Sequence, residues 1–325
     1  GFDIMLYPLK LNAAFKDYLW GGTRLRDEFN KQTDIDPVAE SWELSCHHDG
    51  QSIISNGEFS GKTLAQYIET VGKQVIGTKA PKDKDFPILI KFIDAKQSLS
   101  VQVHPDDKYA LLHEGESGKT EMWYVMDATP DATLIYGFTH EISHQEFERR
   151  IKDNTLLEVC NQVPIKKGDV FFIEAGTLHA IGAGALIAEI QQSSNSTYRV
   201  YDYGRVGKDG KLRELHIEKA LAVTKLEPPT RKPEPIAKLT AFADYDLTIL
   251  AQCELFNVSH FDLHGNCSLN AKKDSFHSIL VLDGQIALTY GNDSFTITKG
   301  ESVFIPADMG EYILNGTGEF ILTTL

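Results

Sequence analysis

The sequence predicts a mainly β protein in two strand-rich barrels or sandwiches, with helices added to the N-terminal part. Three observations predict it: regularly spaced short strands near the C terminus, a proline-dense break before them, and a weak repeat relating the two sides. In the N-terminal part, apolar spacing predicts helices over Gly61 to Gly77, Pro105 to Gly115, Thr139 to Asn161 and Glu214 to Lys225. Ile88 to Ile93, Leu99 to Val103, Met122 to Met126 and Val170 to Ile173 read as strands. The break is Glu227 to Pro235 (EPPTRKPEP), which holds four of the chain's 12 prolines and reads as a stiff linker. It divides the chain into residues 1–226, a linker at 227–235, and a small domain at 236–325. Beyond it, Ser278 to Leu282 is apolar, Asp283-Gly284 reads as a hairpin turn, and Gln285 to Tyr290, Ser294 to Thr298 and Ser302 to Ile305 continue the strands. The repeat aligns Gly168-Asp-Val-Phe-Phe-Ile-Glu-Ala with Gly300-Glu-Ser-Val-Phe-Ile-Pro-Ala, and Glu121 to Asp127 with His277 to Asp283.

Composition narrows the function. The 325 residues are 42% hydrophobic and 24% charged, a globular balance. Lys and Arg number 32 against 46 Asp and Glu, a net charge of −14. So acidic a chain is a poor match for nucleic acid or an anionic membrane surface, and any phosphate it binds needs a few local cations. The longest run free of Asp, Glu, Lys and Arg, Ala175 to Ala188, is too short and too glycine-broken to span a bilayer. No basic region precedes an apolar one at the start of the sequence, and the four cysteines form no CxxC pair. The expected address is the cytoplasm, with reduced thiols.

One group of residues points to chemistry. In Leu99 to His104 (LSVQVH), strand alternation puts Ser100, Gln102 and His104 on one face and Leu99, Val101 and Val103 on the other. Pro105-Asp106-Asp107 then ends the strand and caps a helix. Glu121 opens another strand, and Gly168 to His179 reads as strand, turn, histidine. Two histidines and a glutamate on separate strands, with Gln102 beside the first, make a donor set suited to zinc, or to iron, manganese or cobalt. Three or four protein ligands leave a position open for water or substrate. On spacing alone the same residues are equally compatible with ordinary hydrogen-bonded histidines and a solvated glutamate. In the second copy of the repeat, Glu311 and His277 take the places of His179 and Glu121, so the full set belongs to the first copy.

LSVQVHPDD (Leu99–Asp107), GKTEMWYV (Gly118–Val125), GDVFFIEAGTLHAIG (Gly168–Gly182) and IAEIQQSSNSTYRVYDYGR (Ile187–Arg205) resemble the signature blocks of type I mannose-6-phosphate isomerase, in its short bacterial form. AESWELS (Ala39–Ser45) and Trp20-Gly21-Gly22 are similar to its N-terminal blocks. The resemblance implies two cupin jelly rolls and one Zn²⁺ per chain on Gln102, His104, Glu121 and His179. It also implies a catalytic arginine at Arg199 and cavity residues at Glu40, Lys91, Ser100 and Lys119. Trp20 is expected at the cleft. Asn195 stands where the fungal and long bacterial enzymes have an aspartate, and Glu174 where the usual cupin motif has proline. The implied reaction is aldose–ketose isomerisation of mannose 6-phosphate by enediol proton transfer. Arg199 would clamp anionic oxygens, and Lys91, Lys119, Glu40 or a metal-bound water would shuttle the proton. The implied partner is a sugar phosphate, with no nucleic acid or membrane, and the implied assembly a monomer or homodimer.

A non-catalytic sugar-phosphate-binding cupin or a cupin oxygenase would present a similar ligand set. Gly115 to Thr120 (GESGKT) looks like a P-loop fragment, but His113 stands where its first glycine belongs, and a strand follows it where a helix should. Gly182-Ala-Gly184 reads as a tight turn, His47-His48 as a surface pair, and His140 and His144 as a solvated helical face.

Overall fold

The protein is described by a computed structural model covering residues 4–325. Two antiparallel sheets form the N-terminal part. One has six strands, in the order Val170–Ile173, Glu121–Ala128, Ala185–Gln192, Ile88–Asp94, Glu40–Leu44, Ala14–Lys16. The other has five: Tyr198–Tyr201, Val101–Val103, His179–Ile181, Thr133–Phe138, Cys160–Pro164. The sheets face each other as separate walls and do not close into one hydrogen-bonded barrel.

Both faces of the six-stranded sheet are covered, which explains its long apolar runs. Every residue of Ile88–Asp94 is buried. Ile88, Ile90 and Phe92 pack with Val258, Phe276, Phe304 and Ile321 of the C-terminal part, while Ile93 faces inward beside Trp20 and Trp123. In the five-stranded sheet Val101 and Val103 pack outward with Phe147 of the helix His144–Asp153 and Ala220 of the helix Ile217–Val223. The alternation read from LSVQVH therefore holds for the strand itself. Leu99 departs from it, because it precedes the strand and turns inward with Trp20 and Trp123.

The expected helices are present but shorter. Thr139 to Asn161 yields the helix His144–Asp153 and a 3-10 turn at Leu156–Val159, separated at Asn154, whose φ of 57° ends the helix. His140 lies before that helix, so it shares no helical face with His144. Asp106 caps the helix Asp107–His113 by accepting from the Tyr109 amide at 2.9 Å.

A nine-stranded antiparallel sheet dominates the C-terminal part. Asp283-Gly284 is not a hairpin turn: His277–Tyr290 is one strand, and the pair sits at a register shift against Gly310–Thr324. Gly284 has φ +82°, a conformation that serves a bulge as well as a turn. The repeat is visible in the ladders, since Ile173 pairs with Glu121 as Ile305 pairs with His277. Residues 227–235 carry no helix or strand. Leu9–Asn12 and Ile53–Ile54 add to the C-terminal sheet, which thus draws strands from both sides of the expected boundary. Among the described residues no helix is long and apolar enough to cross a membrane.

Candidate active site

The two N-terminal sheets enclose a cavity of about 220 Å³. Glu40, Lys91, Glu121, Trp123 and Glu189 come from the six-stranded sheet, and Gln102, His179 and Arg199 from the five-stranded one. Trp20, Ser100, His104, Lys119 and Asn195 also line it, so every site residue expected from the sequence borders this one space.

His104, Glu121 and His179 converge at its floor. All three are buried, with ligand atoms within 4.8 Å of one another. Glu121 Oε1 lies 3.4 Å from His104 Nε2 and 3.2 Å from His179 Nε2. His104 Nδ1 bonds the Ser196 carbonyl at 3.0 Å and His179 Nδ1 the Thr177 carbonyl at 2.8 Å. A carbonyl only accepts, so each Nδ1 carries a proton, and in the neutral ring that metal ligation requires Nε2 offers its lone pair on the side of Glu121. Burial, then the nearby Lys119 ammonium, hold His104 well below the usual histidine range. Among the described residues, neither buried oxygen of Glu121 has a hydrogen-bond partner. Three acceptors facing one another without a donor between them are the arrangement a cation stabilises. Bonds of roughly 2.0–2.1 Å to one tetrahedral ion would place its ligands about 3.3 Å apart, close to the two separations between Glu121 and the histidine nitrogens. Gln102 stands opposite His179 across the ladder and bonds Ser100 through its amide nitrogen, at 3.2 Å to both the carbonyl and Oγ. That use of the nitrogen leaves its oxygen as the donor for an ion.

Beside this group runs a buried ionic chain. Lys91 Nζ lies 3.4 Å from Glu40 and 3.3 Å from Glu189. Trp42 and Trp123 each donate an indole N–H at 2.9 Å, to Glu40 and Glu189 respectively. Burial lowers Lys91, but Glu40 and Glu189 outweigh it and hold the ammonium above the usual lysine range. Burial and then Glu121 push Glu189 up. Lys119 is buried too, but among the described residues it enters no ion pair, and burial followed by Lys91 lowers it. At the mouth, Arg199 donates to the Glu214 carbonyl at 2.8 Å and keeps a buried Nε without a partner. Arg213 stands near it, held on Asp202 through Nε at 2.8 Å and Nη2 at 2.6 Å.

The matches to known proteins bear on this site. The family model "Phosphomannose isomerase type I, catalytic domain" matches residues 8–132, and "Mannose-6-phosphate isomerase, cupin domain" matches 246–325. The chain is 38% identical over 323 residues to the probable mannose-6-phosphate isomerase GmuF of Bacillus subtilis, covering 98% of this chain and 99% of that one. The chain belongs to the type I mannose-6-phosphate isomerase family. A crystal structure of the mannose 6-phosphate isomerase from Bacillus subtilis superposes with a TM-score of 0.90 at 35% identity, covering 98% of this chain and 99% of that one. A zinc-bound mannose 6-phosphate isomerase shares the fold, with a TM-score of 0.77 at 18% identity over 97% of this chain and 98% of that one.

Against the type I isomerase pattern, some residues were not foreseen as part of the site. Tyr18, Thr197 and Arg213 line the cavity, and Glu189 joins the ionic chain. For Glu189 a signal existed, a lone carboxylate in the otherwise uncharged strand Ala185–Gln192. His47 was read as a surface residue but is buried, with Nε2 at 3.1 Å from Glu116, while its neighbour His48 is exposed. The side-chain amide of Asn195 donates to Asp49 at 3.0 Å, and exposed Glu174 pairs with Lys225 at 3.0 Å.

Proposed function

We propose that the chain interconverts mannose 6-phosphate and fructose 6-phosphate in this cavity, with one Zn²⁺ held by His104, Glu121, His179 and Gln102. The observation that carries the proposal is the donor-free convergence of two imidazole nitrogens and a carboxylate on the cavity floor. When bound, the ion acts as a Lewis acid for the negative charge that develops on the C1 and C2 oxygens. The remaining work falls to the chain's own side chains.

Isomerisation moves a proton between C2 and C1 of the open-chain sugar. Lys91, clamped between Glu40 and Glu189, is fixed as an ammonium and orients that wall. Among the described residues Lys119 has no carboxylate clamp, and it lines the cavity together with Glu121, so it is the better placed of the two to give and take the proton. Arg199 stays protonated and holds anionic oxygens of the substrate. With Arg213 it supplies the local positive charge that a phosphate needs on a chain of net charge −14. Trp20 and Trp123 wall off water from the reacting carbons. A coupled isomerase assay tests the reading: chelator-treated protein should lose turnover of mannose 6-phosphate and recover it with zinc, whereas full activity without metal would refute the mechanism.

A further inference from the structure

The segment between the strands Ala185–Gln192 and Tyr198–Tyr201 belongs to no ladder, yet it carries Asn195 and Thr197 at the cavity wall. It also carries the Ser196 carbonyl that fixes the His104 ring. A carboxylate from another part of the chain holds it. Glu116 Oε1 accepts from Ser194 Oγ at 2.9 Å, the Asn195 amide at 3.0 Å and Ser196 Oγ at 2.6 Å. Its other oxygen lies 3.1 Å from His47 Nε2. His47 Nδ1 accepts from the Asp49 amide at 3.1 Å, which leaves the ring proton on Nε2 for Glu116. Asp49 in turn accepts from the Asn195 side chain at 3.0 Å, closing a ring of contacts around the segment.

Glu116 lies in GESGKT, the stretch that resembles a P-loop fragment and binds no nucleotide in the reading above. We propose that Glu116 is a positioning residue for the metal site: by anchoring Ser196 it sets the orientation and tautomer of His104, and with them the affinity for the ion. A carbonyl that hydrogen-bonds a ligating histidine tunes the metal, and Glu116 acts on that carbonyl through its own residue's hydroxyl. The inference rests on His104 being a metal ligand.

Competition with a chromophoric chelator reads the zinc affinity of the full chain directly, without an activity assay. Outer-shell partners are worth about 10–100-fold in metal affinity, and Glu116→Ala is expected at the lower end, about tenfold. Glu116→Gln retains an oxygen for both serines and the amide, so it should recover most of that loss. The pair Ser194→Ala with Ser196→Ala leaves Glu116 and His47 in place and should weaken zinc binding in the same direction. That pair carries the test if Glu116→Ala does not fold. The visible spectrum of the cobalt-loaded protein should change in Glu116→Ala, because a ligand ring is reoriented. Wild-type zinc affinity in Glu116→Ala, or in the serine pair, overturns the proposal, even if the unfolding temperature drops. A wild-type chain that binds no zinc defeats instead the metal reading beneath it, and the proposal with it.

Discussion

Glu121 is buried with both oxygens unpartnered between two imidazole nitrogens, a position in which a neutral side chain would lose the attraction for a cation. Glu121→Gln and His179→Ala are expected to release metal and abolish turnover, whereas Arg199→Ala should keep its metal and lose roughly 10²–10³-fold in kcat. Elemental analysis beside steady-state kinetics separates these outcomes. The two lysines should also part company. Lys119→Met is expected to cost about 10²–10⁴-fold in kcat with little loss of stability. Lys91→Met strips the partner from two buried carboxylates, and chemical unfolding should show a loss of about 3–5 kcal/mol. At this scale the sequence was informative where strand alternation exposed a polar face, as for Gln102 and His104. It was silent for Tyr18 and Arg213, which reach the cavity from irregular segments whose direction no periodicity encodes.

Short connections between elements set the positions of these side chains. Gly118, just before Lys119, packs so closely that an added Cβ would lie 2.5 Å from the Asp106 carbonyl carbon and 2.6 Å from the Asp107 amide. Gly118→Ala should therefore push apart the turn after His104 and the start of the Glu121 strand, costing about 1–3 kcal/mol in unfolding measurements and lowering kcat. The anchor at Glu116 has a signature of its own in acid. Burial pushes its carboxyl up, but hydrogen bonds from His47, Ser196 and the Asn195 amide outweigh that and hold it at about 2. Its unfolded value is roughly 4.3, so it favours the folded state above about pH 4.3 and that contribution fades as the pH falls towards 2. Across this window Glu116→Gln should lose stability with falling pH less steeply than wild type, as read by unfolding midpoints; parallel curves would contradict the assignment. Element types were largely legible because the apolar periods of 2 and 3.6 differ, while boundaries were not. Asn154 in a left-handed conformation cuts a helix that apolar spacing alone extends, and Gly284 reads as a turn although it sits within a strand.

For the whole molecule, the six-stranded sheet is the shared wall: one face lines the cavity, and the other packs on the C-terminal sheet. Lys31 ties the halves together, bonding Glu43 at 2.5 Å and the Gly300 carbonyl at 2.6 Å. The repeat was legible from two matched octapeptide and heptapeptide blocks, but the entry of Leu9–Asn12 into the far sheet was not, since long-range pairing leaves no local mark. In the second copy His277 takes the place of Glu121 and bonds Tyr312 at 2.7 Å, and burial lowers it to about 4. Its interior is filled by Ile279, Leu288, Ile297 and Phe320, and no cluster of metal-ligating side chains lies there among the described residues. The chain is thus expected to hold a single catalytic ion in the N-terminal cavity. The decisive measurement is zinc content per chain followed together with mannose 6-phosphate turnover as a chelator is titrated in. One zinc per active chain, with activity falling in proportion to bound metal, is the expected outcome; turnover that persists after the last zinc has left would rule out the metal mechanism.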